Sequence, residues 1–141
     1  MKSYKGLAAL TLAVAMVAGV SFAGGNKIRE TVDIYLPFYV DYYGQLEYDE
    51  YADGYATIKV VVNTRNGKGH AKARGWVEND SDRRLKLKND PYLDSIIEEE
   101  AYYYFDADID IYRSKLVVNK RGRLRYTNRF EVDDFYYGID T

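Results

Sequence analysis

Three aspartates, Asp106, Asp108 and Asp110, occupy every second position late in the segment Ala101 to Tyr112. In an extended chain such side chains share one face, with neighbours about 6.6 Å apart, and a ladder of this kind can hold a calcium ion with help from adjacent loops. The EF-hand version of the spacing fails, because positions six and twelve counted from Asp106 are Ile111 and Val117, where glycine and a bidentate acid are needed. A solvated acidic face is the competing account. Calcium is thus the one cofactor the sequence brings forward, and nothing in the pattern requires any.

Seven cations follow with no acid between them: Arg113, Lys115, Lys120, Arg121, Arg123, Arg125 and Arg129. A patch this dense can dock an anionic polysaccharide, a lipid headgroup or an acidic protein surface. Alternation offers a blander account, since Arg123, Arg125 and Arg129 share one parity and can simply face the aspartates. Tyrosine is the compositional anomaly, at sixteen of 141 residues. Tyr42, Tyr48 and Tyr103 fall inward by parity, as core. Tyr35, Tyr39, Tyr102 and Tyr104 fall outward and, with Trp76, form a candidate binding face for a glycan or protein, because a tyrosine offers rigid area and a polar tip. Catalysis finds little support. His70 is the only histidine, there is no cysteine, and no serine motif or carboxylate pair stands out.

The elements that must position these residues are mostly strands. Tyr55 to Glu78 reads as a hairpin closed by a two-residue type I′ turn at Asn66-Gly67, with Val62 opposite Ala71, Val60 opposite Ala73 and Ile58 opposite Gly75. Lys27 to Tyr43 alternates as one long strand that must bend at Pro37. Gln45 to Tyr51 is expected beside the hairpin, joined by Ala52-Asp53-Gly54, which sets Glu47, Lys59 and Arg74 in a row. Arg84 to Lys88 is a short strand. Asp90-Pro91 opens a short helix near residues 91–99, as N-cap and first helical residue, and three glutamates at its end oppose the helix dipole. Ala101 to Tyr112 returns to a period of two. Between Tyr112 and Lys115 the apolar parity switches, which calls for a bulge. A loop ending at Gly122 then pairs Val118 with Leu124, Leu116 with Tyr126 and Tyr112 with Phe130.

The expected fold is all-β, an antiparallel meander of about eight strands closed as a small barrel or folded as a sandwich. Residues 1–23 read as a cleaved secretory signal peptide, with Lys2 and Lys5 before an apolar run and Ser21-Phe22-Ala23 at the cut. Residues 24–141 then form a single domain. The cut removes two of 20 basic residues and none of 22 acidic ones, so the remainder carries 18 against 22, a net charge of −4 that argues against nucleic acid. The composition points to a bacterial periplasmic or extracellular protein without disulfides. Its expected function is non-enzymatic binding of an apolar small molecule, a glycan or a protein partner, in the interior or on the tyrosine-rich face. The alternatives are a small outer-membrane β-barrel, against which the short strands argue, and a structural or adhesive subunit of a surface appendage.

Overall fold

A computed structural model describes residues 27–133. The signal segment 1–23 and the aromatic run Phe135 to Tyr137 lie outside them. The strands are β1 (Lys27–Leu36), β2 (Phe38–Val40), β3 (Leu46–Tyr48), β4 (Gly54–Asn63), β5 (Lys68–Trp76), β6 (Leu85–Lys88), β7 (Ile109–Val118) and β8 (Arg123–Val132), with one helix, α1 (Pro91–Phe105), between β6 and β7. Six of them form an antiparallel sheet in the order β1-β4-β5-β8-β7-β6, and β2 and β3 form a second, two-stranded sheet. The mostly antiparallel architecture and the single helix among the described residues match the expectation. Closure does not occur: β1 and β6 are the two ends of an open sheet, so neither a barrel nor a simple meander forms. After β5 the chain crosses to the far edge, and β8 returns to fill the centre.

Each strand of the six-stranded sheet buries one side. Ile28, Ile34 and Leu36 of β1, Ile58 and Val62 of β4, Ala71 and Ala73 of β5, Leu124, Tyr126 and Phe130 of β8, and Leu116 and Val118 of β7 enter the core. Leu93, Ile97, Ala101 and Phe105 of α1 are buried with them. The interior side of β5 is unusually small, which makes room for rings from β8. Gly69 lies opposite Phe130, and a methyl group there would come within 2.6 Å of the ring. Phe38 and Val40 are fully buried, and Val40 ties the small sheet to the chain after β5 through its bonds to Glu78 and Asp80.

Several expectations need correction. The β4–β5 hairpin keeps its faces but shifts its register by two residues, pairing Val60 with Ala71 and Ile58 with Ala73. Its loop is longer than a type I′ turn: Gly67 takes φ 72° and donates to the Asn63 carbonyl at 2.9 Å, while the Asn63 and Asn66 side chains accept from Arg65 and Lys68. Strand β3 does not join the hairpin, because β1 occupies that side of β4; Glu47 therefore lies opposite Tyr39 and forms no row with Lys59 and Arg74. Asp90 caps α1 as expected, accepting from the Leu93 amide at 3.0 Å. The helix nonetheless runs on to Phe105 and ends at Asp106, in the left-handed conformation at φ 52°. Residues 101–105 are consequently helical, and Tyr103, like Tyr42, is exposed. The bulge falls at Tyr112, so Ile111 takes the place opposite Phe130, whereas Leu116–Tyr126 and Val118–Leu124 pair as predicted.

Candidate anion-binding face

Helix α1 covers one side of the six-stranded sheet, and the other side carries the basic residues. Their placement follows from alternation and register. Along one row the neighbours are Thr31, Lys59, Lys72, Thr127, Lys115 and Lys88. The next row is Asp33, Thr57, Arg74, Arg125, Val117 and Lys86. On the other flank Arg29, Val61, His70, Arg129 and Arg113 line up. All of these side chains are exposed or partly exposed. Four pairs of like charge, Lys59–Lys72, Arg74–Arg125, Arg113–Arg129 and Lys88–Lys115, therefore stand directly opposite each other. Such juxtapositions are unfavourable by roughly 0.2–1 kcal/mol each. Asp33, at the β1 end of the second row, and Asp110 and Glu131, beyond the rows named, are the acids that register places on this side.

His70 reports the resulting field. Burial first, and then Arg129, Lys72, Lys27 and Arg29, push its imidazole below the ordinary histidine range. At one end of the face the row Tyr35, Tyr55, Trp76 and Arg123 sets aromatic rings beside the cations. Trp76 is 38% exposed and leans over the β7–β8 turn, where its indole nitrogen leaves no space for a side chain at Gly122. The Tyr35 hydroxyl donates to the Glu50 carbonyl at 2.9 Å, which ties the loop before β4 to the edge of the sheet.

Of the seven cations singled out in the sequence, Arg113, Lys115, Arg123, Arg125 and Arg129 belong to this face, and Lys120 and Arg121 sit in the turn at its end. They do not meet the three aspartates as a ladder. Asp106 caps the helix, Asp108 lies in the following loop, where its carbonyl accepts from Asp133, and Asp110 alone is on β7. Among the described residues no group of three acidic or histidine side chains is placed to hold a metal ion. The tyrosine face is likewise divided: Tyr35 and Trp76 lie on the basic side, Tyr39 on β2, and Tyr102 and Tyr104 on α1. Sequence reasoning missed Lys59, Lys72 and Arg74, which come from a hairpin far from residues 113–129. Their outward parity was visible; the adjacency of β5 to β8 was not.

On the helix side a polar cluster crosses the core. Asp94 of α1 accepts from the Tyr126 hydroxyl at 2.8 Å and from the Ser114 hydroxyl at 3.0 Å, while the Asn128 amide donates to Tyr126 at 3.1 Å. Asn128 in turn accepts from the Ala71 amide at 2.8 Å. Burial pushes the Tyr126 phenol up from its ordinary 10.0. Ser114 and His70 point to opposite sides of the sheet, so they form no nucleophile–base pair. The cluster docks the helix. No family model, no curated protein and no solved structure matches the chain.

Proposed function

We propose that the protein is a binding module for acidic polysaccharide, which it engages along the basic face of the open sheet. The observation that carries this reading is the set of four directly opposed like-charge pairs, since a face selected only for solubility gains nothing from placing cation against cation. A polyanion laid across the rows neutralises several of them at once, with release of its counterions. The aromatic row beside Arg123 supplies flat surfaces suited to sugar rings. An open sheet also lacks the closure that a membrane-spanning barrel needs. No helix among the described residues is long and apolar enough to cross a membrane. The reading of residues 1–23 as an export signal fits an acidic glycan better than a nucleic acid as partner.

Trp76, the only tryptophan, provides the assay. Its fluorescence is to be titrated with dextran sulfate, a polyuronate, neutral dextran and single-stranded DNA over a range of salt concentrations. The two acidic polysaccharides should bind, with affinity falling steeply as salt rises. The double variant Arg74→Ala, Arg125→Ala should weaken them about tenfold and flatten the salt dependence. Equal binding of neutral dextran, a preference for DNA, or no response at low salt would each defeat the proposal.

A further inference from the structure

The two ends of the open sheet are built differently. At one end β6 is four residues long and carries Lys86 and Lys88, both exposed. Shortness and lysine are usual means of keeping an edge strand from pairing with another chain. At the other end β1 runs for ten residues in unbroken register with β4, from Lys27 opposite Asn63 to Leu36 opposite Gly54. It contains no proline and no bulge, and no strand among the described residues pairs with its outer side. An edge of this length is a template for one further strand.

The residues of β1 say which strand fits. A two-fold axis perpendicular to the sheet lays β1 antiparallel against β1 of a second copy, and one residue must then face itself. With Thr31 at the axis, Arg29 meets Asp33 and Lys27 meets Tyr35 on the basic side, while Ile28 meets Ile34 and Glu30 meets Val32 on the helix side. Symmetry repeats each of these pairs, so two contacts of arginine with aspartate form. Both residues are exposed, and Asp33 accepts from the Thr57 hydroxyl at 2.6 Å, which steadies its carboxylate on the sheet. Moving the axis back to Glu30 pairs Lys27 with Asp33 but sets Glu30 against its own copy. Moving it forward to Val32 puts Arg29 beside Tyr35 and Asp33 beside Thr31, and no opposite charges meet. Thr31 alone brings opposite charges together without setting like against like. An inward charge ordinarily discourages edge pairing, and here Glu30 selects among the registers.

We propose that the protein forms a two-fold dimer through β1, antiparallel and centred on Thr31, which joins two six-stranded sheets edge to edge. The axis is perpendicular to the sheet, so the two basic faces lie on the same side. The short, lysine-bearing β6 ends the assembly at a pair, where a second sticky edge would give a filament. Main-chain bonds along one strand and two ion pairs over a small buried area suit a dimer with a Kd of about 1–100 µM. Polyanion binding needs only one copy's face and the dimer needs no polyanion, so either proposal can fail alone.

The test is sedimentation equilibrium of the whole chain as isolated, over concentrations from about 1 to 300 µM. The mass should rise from one chain to two. Arg29→Asp and Asp33→Arg should each weaken the dimer about tenfold or more, because each sets like charges together twice, and the two substitutions combined should restore it. A covalent measurement is independent of those variants, since the chain has no cysteine. Facing residues of an antiparallel pair have Cα atoms about 4.5–5.5 Å apart, within reach of a disulfide. Mild oxidation of Thr31→Cys should therefore give a covalent dimer, whereas Arg29→Cys and Asp33→Cys, each about 13 Å from its symmetry mate, should cross-link poorly. A single-chain mass at every concentration would overturn the proposal: an unreactive thiol in Thr31→Cys would then assign the edge to residues 1–26 or 134–141 of the same chain, and a reactive one would leave it open. A dimer that ignores both charge reversals, that the combined exchange fails to restore, or that cross-links equally at all three positions would overturn it too.

Discussion

Asp94 holds three elements together through two oxygens, and its removal would strand two buried donors. Asp94→Ala leaves the hydroxyls of Ser114 and Tyr126 without their acceptor. Each such loss costs about 1–3 kcal/mol, so the variant should be destabilised by roughly 2–6 kcal/mol in urea unfolding, and Tyr126→Phe by less. The same residues predict an alkaline limit. Burial holds the phenols of Tyr126 and Tyr48 above their ordinary 10.0, and Tyr48 also contacts the Asp90 carboxylate. Above pH 10 the unfolded chain loses these protons while the folded chain keeps them, so stability is full below that point and falls as pH rises. The slope is at most about 1.4 kcal/mol per pH unit for Tyr126, and smaller for Tyr48, which is 36% exposed and screened by solvent. Urea unfolding between pH 8 and pH 11 should show this fall, and Tyr126→Phe should remove one group's share of it.

Among the elements, what was legible in the sequence was parity, and what was hidden was partnership. Alternation placed Val60 and Ala73 on one side of the sheet, but a shift of two residues preserves every face, so it could not separate a two-residue turn from the longer loop that Asn63 and Asn66 stabilise. The β7–β8 hairpin was read correctly from its turn to Leu116–Tyr126, where Gly122 and the apolar pairs allowed a single solution, but beyond the bulge Ile111 and not Tyr112 faces Phe130. The end of α1 was misread for a related reason. In Ala101-Tyr-Tyr-Tyr-Phe105 a period of two and a period near four both bring Ala101 and Phe105 to one side, and tyrosine favours strands. Burial of Leu93, Ile97, Ala101 and Phe105 along one stripe resolves it as helix. Substitution separates the two structures: Phe105→Ala should cost about 3–5 kcal/mol, while Tyr103→Ala, 61% exposed, should stay within about 0.5 kcal/mol. A strand across 101–105 would make both variants costly. At the hairpin, Gly67→Ala should cost about 1 kcal/mol or more, since Gly67 sits at φ 72°.

At the scale of the whole molecule, a net charge of −2 conceals a segregated distribution. The central rows of one sheet face are basic, while the acids gather in the loops 41–53 and 78–82 and on α1. Net charge alone is therefore a poor guide to what such a face could bind. A mildly acidic chain looks unfit for polyanions, yet the local field that a ligand meets is set by Lys59, Lys72, Arg74 and Arg125 within a Debye length of about 8–10 Å. This segregation makes stability and binding respond in opposite directions to one change. Arg74 has Thr57 and Arg125 as its direct cross-strand neighbours. Arg74→Glu replaces a repulsion with an attraction and should raise unfolding stability by about 0.2–1 kcal/mol, an effect that fades with added salt. The same variant should elute from a sulfated-polysaccharide column at clearly lower salt. Arg83→Glu, which makes an equal change in net charge in the turn before β6, should leave elution nearly unaltered. If both variants shift elution alike, the protein responds to its total charge and the sheet face has no special part in binding. If Arg74→Glu destabilises the fold, Arg74 makes attractive contacts that the cross-strand register does not reveal.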